Sequence, residues 1–450
     1  MIDQKKQNEQ LPEETLWFFK ELRIFEHLKQ AGLKKCKGFT CAYLFQLLFS
    51  LVFHQKNLYQ YLQSKKGEGK PEKNAIYRFL NHPKWNWRQF LLLLGAYTVQ
   101  KVSQLTSASR ISAFIVDDSS YERNRSKKVE LLARCKDHTS HKPRYYKGFR
   151  MLTLGWSDGF TFIPVDFTLL SSVKTKLQDI IAHIDRRTCG YKRRLDALET
   201  APDQVVKMLD RALRMGISAP YVLMDSWFTH QALVQEIVQR GLDVIGMVKA
   251  TKQGYIVGNR KVCLKELYYL ATPVSGQRGI LRSIHTQLSC GLPVKVVFVQ
   301  HRSKSREWLA ILSTDSTLTE KEIIQTYGIR WDIEVFFKCT KSLLRLQKDV
   351  QGRYYDAMVS HTTIVFTRYI VLAWQHRCSS DDRTLGGLFY ELCDEIHELD
   401  WAIALQQLIE LLMDVMHKTS KKITNLIKSQ LQQWIDGLPL YIKAYLPNLT

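Results

Sequence analysis

Ile111-Ser-Ala-Phe-Ile-Val-Asp-Asp118 and Ala219-Pro-Tyr-Val-Leu-Met-Asp-Ser226 decide how this chain reads, because each is a short apolar run ending in an acid. Runs of that length, bounded by polar residues, predict β-strands. Two more apolar runs, Phe149–Trp156 and Phe160–Leu170, meet at Ser157-Asp158-Gly159, a sequence suited to a hairpin turn. Pro202 to Met215 predicts a helix, with proline near its start and Gly216 at its end. Another helix follows through Arg240, and Leu242–Lys249 makes a fifth strand. The order is strand, hairpin of two strands, helix, strand, helix, strand. An α/β domain is expected, with its first and fourth strands side by side.

Working outward, residues up to about 105 carry apolar positions at helical spacing, over Leu16–Leu28, Tyr43–Phe53 and Phe90–Val102. A polar stretch at residues 64–74 breaks that run, and Ala75 opens a short helix stopped by Pro83. Residues 251–305 mix Gly, Pro and basic residues with strand-like pieces such as Val294–Arg302, and read as a β-rich insertion. Glu307–Ser313 returns to strand, and Thr319 starts a long helix with Glu322 three positions on, a capping-box spacing. After Asp356 the pattern is helical, interrupted near 378–384 and 417–422. Five segments are expected: a helical, DNA-binding 1–105; catalytic cores 106–250 and 306–378; the insertion 251–305; and a helical 379–450 that could mediate dimerisation.

Composition narrows the function. Of 450 residues, 45% are hydrophobic and 24% charged, which excludes a wholly disordered chain. Lys+Arg exceed Asp+Glu by 65 to 43, a net +22 that favours a polyanionic partner, nucleic acid before an anionic membrane surface. None of the nine cysteines has C-x-x-C spacing, so neither a zinc module nor a disulfide framework is indicated, and reduced cytosolic thiols are expected. The first residues are polar, unlike a signal peptide. The longest apolar stretch, Cys41–Phe53, falls short of the roughly 20 residues that span a bilayer, so no membrane association is expected.

Three carboxylates stand where chemistry is done. Sites in open α/β sheets form at the carboxyl ends of strands, where Asp118 and Asp225 lie. A helix packed across the sheet could add Glu334. Each acid alone has a duller explanation, since strand-end Asp residues often cap turns or helix starts. Together they would repel unless hard cations such as Mg²⁺ sat between them, and two such ions suit phosphodiester chemistry. At about 100° per residue, Tyr327, Arg330, Glu334, Lys338 and Lys341 share one arc of about 80°, opposite Ile329, Ile333, Phe336 and Phe337. An ordinary amphipathic helix with i,i+4 ion pairs would look the same. Asp117 and Asp118 point to opposite faces of a regular strand, so only one of them can enter the site. Tyr121–Arg150 holds ten Lys/Arg against three acids and reads as a flexible basic loop for phosphates. Arg186, Arg187, Lys192, Arg193 and Arg194 could extend that track.

The spacing Tyr-x2-Arg-x3-Glu-x6-Lys, filled by Tyr327, Arg330, Glu334 and Lys341, resembles the motif of DDE transposases of the insertion-sequence-four family. Asp118-Ser-Ser resembles the family's first acid and Met224-Asp225-Ser its second, over residues 110 to about 345. The family's Asp-Ser/Thr pattern favours Asp118 over Asp117. The resemblance implies a ribonuclease-H-like core in which Asp118, Asp225 and Glu334 are catalytic and hold two Mg²⁺ or Mn²⁺ ions. It implies a bacterial, cytoplasmic and nucleoid-associated enzyme that cuts double-stranded DNA at terminal inverted repeats and joins it to target DNA. A homodimer would pair two ends in a synaptic complex, and a hairpin intermediate would form. It further implies that Trp308 stacks a flipped base, while Tyr327, Arg330 and Lys341, with Lys338 a weaker match, grip nearby phosphates. For Trp308, packing on a strand is the competing explanation. Two other functions fit the same residues: a hydrolytic nuclease of this fold, or a non-catalytic, sequence-specific DNA-binding protein derived from a transposase.

Overall fold

The computed structural model describes residues 13–437 except 36, 64–70, 138–143, 182, 252, 302–306, 350, 379–383 and most of 395–420. Helices open the chain: α1 (Glu13–Glu21), α2 (Ile24–Gln30), α3 (Cys41–Ser50), α4 (Leu58–Gln63), α5 (Lys73–Leu80) and α6 (Trp87–Gln104). The apolar period over Leu16–Leu28 predicts one helix, but Arg23, at φ 49°, breaks it between α1 and α2. The strands β1 (Ala113–Glu122), β2 (Ala133–Asp137), β3 (Arg144–Ser157) and β4 (Phe162–Leu170) follow, then α7 (Cys189–Asp196) and α8 (Ala201–Arg214). Next come β5 (Tyr221–Met224), α9 (Gln231–Val238) and β6 (Asp243–Val248).

Local chemistry explains several of these limits. Thr200 caps α8 by accepting from Asp203 N. Gly216, at φ 76°, ends it, with Ile217 N donating back to Ala212 O at 3.1 Å. The β3–β4 turn needs Gly159 at φ 78°, and the Asp158 carboxylate accepts from Phe160 N and Thr161 N. The stretch Tyr121–Arg150, expected as a flexible loop, is a loop over residues 123–132 but enters β1, β2 and β3 on either side, because β1 runs four residues beyond Asp118 and pairs with β3 as far as Glu122↔Gly148. Charged residues here alternate along a strand edge, so composition alone reads as loop.

The insertion holds β7 (Tyr255–Val257), β8 (Arg260–Val262), a short helix α10 (Leu264–Leu270), β9 (Thr272–Pro273), β10 (Ile280–Leu288) and β11 (Pro293–Gln300). Then come β12 (Trp308–Ser313), α11 (Glu320–Gly328), α12 (Trp331–Ser342), α13 (Tyr355–Cys378) and α14 (Lys421–Asp436). Thr319 and Glu322 do form the capping box of α11. The single long helix expected from there is interrupted at Ile329–Arg330, so α11 and α12 are separate.

One mixed sheet runs β2-β3-β1-β5-β6-β12-β11-β10-β7-β8, with β4 also on β3 and β9 on β10. The expected first and fourth strands are neighbours: β1 and β5 pair in parallel from Ala113↔Tyr221 to Val116↔Met224. The insertion does not hang off the sheet. It extends it, through β12 antiparallel to β6 and β11 antiparallel to β12.

A continuous apolar core runs from Phe18 in α1 to Cys393, with α6, α8 and α13 against β4 and α12 against β1. Arg368 of α13 is nearly fully buried and stitches this core, donating to Phe49 O, Leu344 O and the Asp349 carboxylate. No helix among the described residues is long and apolar enough to cross a membrane. The proposed dimerisation segment 379–450 lies largely outside the described residues, Ala404 and Leu411 included.

Candidate active site

The parallel pairing of β1 with β5 builds the site. Its last pair is Val116↔Met224, so the next residues, Asp117 and Asp225, come side by side where β5 ends. Beyond Met224 the chain turns, and the Asp225 carboxylate accepts from Trp227 N at 2.9 Å and Phe228 N at 3.3 Å. That is the turn-capping role expected of any strand-end Asp, and it leaves the other carboxylate oxygen for further contacts.

Strand alternation separates the two adjacent acids. Asp117 turns toward α12: its Oδ2 accepts from Arg330 Nη1 at 2.9 Å, and the same nitrogen lies 3.3 Å from Glu334 Oε1. Asp118 turns the other way and pairs with Arg150. The side chain that the structure brings together with Arg330 and Glu334 is therefore Asp117, while the resemblance favours Asp118. Burial pushes the Asp117 carboxyl up to about 8; the charge of Asp225 adds to this, Arg330 opposes it, and Glu334 raises it further. An acid kept from ionising by burial and by neighbouring like charge is a mark of functional sites.

Lys338 and Lys341 of the expected helix face reach the same groove, a cavity of about 830 Å³ lined also by Asp117, Asp118, Asp225 and Glu334, whereas Tyr327 does not line it. Lys341 donates to Ser119 Oγ at 2.6 Å and Ser120 Oγ at 3.3 Å, tying the end of α12 to β1. Gln347 adds a second tie, its amide donating to Ser120 O and accepting from Glu122 N. Lys338 is exposed at the rim. Tyr327, on α11, has its ring 5.8 Å from the Arg330 guanidinium, and burial pushes its hydroxyl up to about 12.

Trp308 lies elsewhere. It stands half-buried at the start of β12, stacked on Tyr268 at 5.0 Å and edge-on to Phe298. One groove residue carries no sequence motif that singled it out. Trp227, 41% exposed, lines the groove, and the Arg150 guanidinium lies 4.3 Å over its ring. Its position two residues after Asp225 was the available signal. Beside the groove, a hollow of about 870 Å³ is lined by Arg123, Arg125, Lys127, Lys128 and Arg353, with Glu122 shared between the two. The second basic cluster does not extend this track through Arg193 and Arg194, which are buried in ion pairs with Asp356 and Glu130.

In chemistry the donor set fits a hard divalent cation: all its members are carboxylates, and Asp117 is buried within the like charges of Asp225 and Glu334. Among the described residues, no three His, Cys, Asp or Glu side chains are drawn together as a ready-made metal cluster. Arg330 stands between two of the acids instead.

Comparison with known proteins bears on the same segments. A family model described as DDE superfamily endonuclease matches residues 39–264, and one described as transposase DDE domain matches residues 194–370. The first range contains Asp117, Asp118 and Asp225, and the second contains Asp225 and Glu334. No curated protein matches the sequence. A solved structure, the Drosophila P element transposase strand transfer complex, is 11% identical, covering 91% of this chain and 78% of its own at a TM-score of 0.24. With the first family model spanning half of its length, the chain belongs to the DDE superfamily of endonucleases.

Proposed function

We propose that this protein is a cut-and-paste DNA transposase of the insertion-sequence-four type, with Asp117, Asp225 and Glu334 as its acidic triad. The observation that carries the reading is the convergence of β1, the end of β5 and α12 on one groove, where Arg330 bridges Asp117 and Glu334. We assign a ribonuclease-H-like core to residues 106–250 and 306–378, with β7 to β11 as its insertion, and a DNA-binding role to the helices of 1–105.

Asp117, Asp225 and Glu334 would hold two Mg²⁺ or Mn²⁺ ions. When bound, these would supply an activated oxygen nucleophile and charge stabilisation for the leaving oxygen. The chain's own groups do the rest. Lys338 and Lys341, with Arg150 and the hollow beside Glu122, hold the phosphates of a DNA strand along the groove. The ties from Lys341 and Gln347 keep α12 at a set distance from β1, and so keep Glu334 in line with Asp117. Phosphoryl transfer depends chiefly on such alignment and on charge stabilisation, and it requires no covalent link between protein and DNA. The same groove would serve in turn for hydrolysis that nicks a transposon end, for attack of the freed 3′ hydroxyl on the opposite strand to close a hairpin, for hydrolysis that reopens the hairpin, and for attack of the regenerated hydroxyl on target DNA. Inverted repeats are the expected end sequences, paired by a homodimer.

The test is joining. Purified protein, Mg²⁺ and pre-cut ends from the DNA flanking the gene should give strand-transfer products, and EDTA should abolish them. Hydrolysis without joining would reduce the protein to a nuclease, and end binding without cutting would make it a DNA-binding protein.

A further inference from the structure

Arg330 occupies a position that the proposed function makes contested. One guanidinium nitrogen, Nη1, contacts Asp117 at 2.9 Å and Glu334 at 3.3 Å, and the side chain is only 14% exposed. These are two of the three carboxylates assigned to metal. The contacts join β1 to α12, so Arg330 is the cation between two elements that a metal would otherwise bridge. Among the described residues the carboxylates do not form a ready-made cluster. Arg330 also has an alternative. It sits at the junction of α11 and α12 and lines the groove together with Lys338 and Lys341. A planar guanidinium binds phosphate at least as well as carboxylate, through paired N–H donors.

We propose that Arg330 is a charge placeholder that couples DNA binding to metal loading. Without DNA it occupies Asp117 Oδ2 and Glu334 Oε1 and so holds their affinity for a divalent ion down. A DNA phosphate entering the groove draws the guanidinium away and frees both carboxylates at the moment the substrate is in place. Coupling of this kind is reciprocal, so bound metal raises DNA affinity by the same factor. The inference rests on the groove being a metal-dependent DNA site and names how that site is regulated.

The experiment is Mn²⁺ titration of the DNA-free full chain by calorimetry, for the parent protein, Arg330→Gln, Arg330→Met and Asp225→Asn. Removing the placeholder should tighten Mn²⁺ binding by roughly tenfold, within the usual range of coupling between sites. Arg330→Met keeps the unbranched apolar stem without the guanidinium, and circular dichroism identifies a variant that has failed to fold. If the folded Arg330 variants bind Mn²⁺ no more tightly than the parent while Asp225→Asn weakens it, the placeholder is overturned and the metal site stands. If Asp225→Asn leaves Mn²⁺ binding unchanged, the metal site and the placeholder fall together. In a second arm, an arbitrary-sequence duplex at low salt should tighten Mn²⁺ binding to the parent more than to the Arg330 variants. An equal gain would also overturn the coupling.

Discussion

Two regions of this molecule are built from the same materials, arginine and carboxylate, and behave as opposites. Around the start of α13, Glu130, Arg194, Asp356 and Arg193 form a buried network in which charges are matched and hydrogen bonds are shared. Glu130 accepts from Arg194 Nε at 2.6 Å and from Tyr355 N at 2.8 Å, and Asp356 takes Arg193 and Arg194. Burial works against the Arg194 charge, yet the bonds from Glu130 and Asp356 carry its pKa upward. In the groove, one arginine serves two acids, Glu334 is 42% exposed, and Asp117 is held reluctant to ionise. A sealed, matched pair is costly to break because its partner is left buried alone, whereas an acid buried among like charges marks a site for a ligand.

The largest effect that sharpens this contrast is on chemistry. Asp225→Asn keeps the caps on Trp227 N and Phe228 N, so folding should be nearly unchanged while end cleavage falls at least about a thousandfold. Cleavage assays beside thermal melts check both halves, and undiminished cutting would remove Asp225 from the site. Next, Glu130→Ala strands Arg194 in the core and should cost about 3–5 kcal/mol in denaturant unfolding. A loss below about 1 kcal/mol would mean that the network is not the structural member of the pair.

Two tryptophans extend the comparison. Trp308→Ala should lower stability by about 2–4 kcal/mol through lost aromatic packing. Trp227→Ala should cost less than about 1 kcal/mol of stability, yet reduce cleavage roughly tenfold, the size of one lost base or cation contact. If Trp308→Ala instead leaves stability intact and impairs end processing more than the initial nick, the stacking role implied by the family resemblance returns to Trp308.

The smallest effects concern pH and differ in sign. Asp117 binds its proton more tightly folded than unfolded, so its contribution is complete below about 4 and is lost as pH rises through about 8. Asp117→Asn should therefore gain stability over the metal-free parent as pH rises across that window. His361, buried in α13, is lowered well below 6.5 by burial, with Arg368 and Arg123 adding to the effect. The unfolded chain takes up that proton first, so stability is lost as pH falls below about 6.5, and His361→Gln should flatten that limb. Melting curves of both variants between pH 5 and pH 9 would show the opposite slopes, about one proton each; slopes of like sign would undo the contrast.

The hairpin of β3 and β4, the neighbouring of β1 and β5, the capping box of α11 and the gathering of Arg330, Glu334, Lys338 and Lys341 were all legible from the sequence pattern, whereas β2 was not. So was Asp225, because a strand end followed by a turn has a local signature. The structure departs from the pattern where a residue's role depends on its partners. Arg193 and Arg194 read as a surface track until Asp356 and Glu130, remote in the chain, bury them. Tyr121–Arg150 reads as a loop until β3 supplies an edge to pair with.

By itself, then, the sequence determined most of the helices and strands around the site and which faces they present, since apolar period, capping residues and turn residues act over a few positions. Only the tertiary structure decided whether Asp117 or Asp118 meets Arg330 and Glu334, and which tryptophan lines the groove. Alternation along β1 guarantees that adjacent acids face opposite ways. Which of those sides α12 covers is set by packing between segments about 200 residues apart.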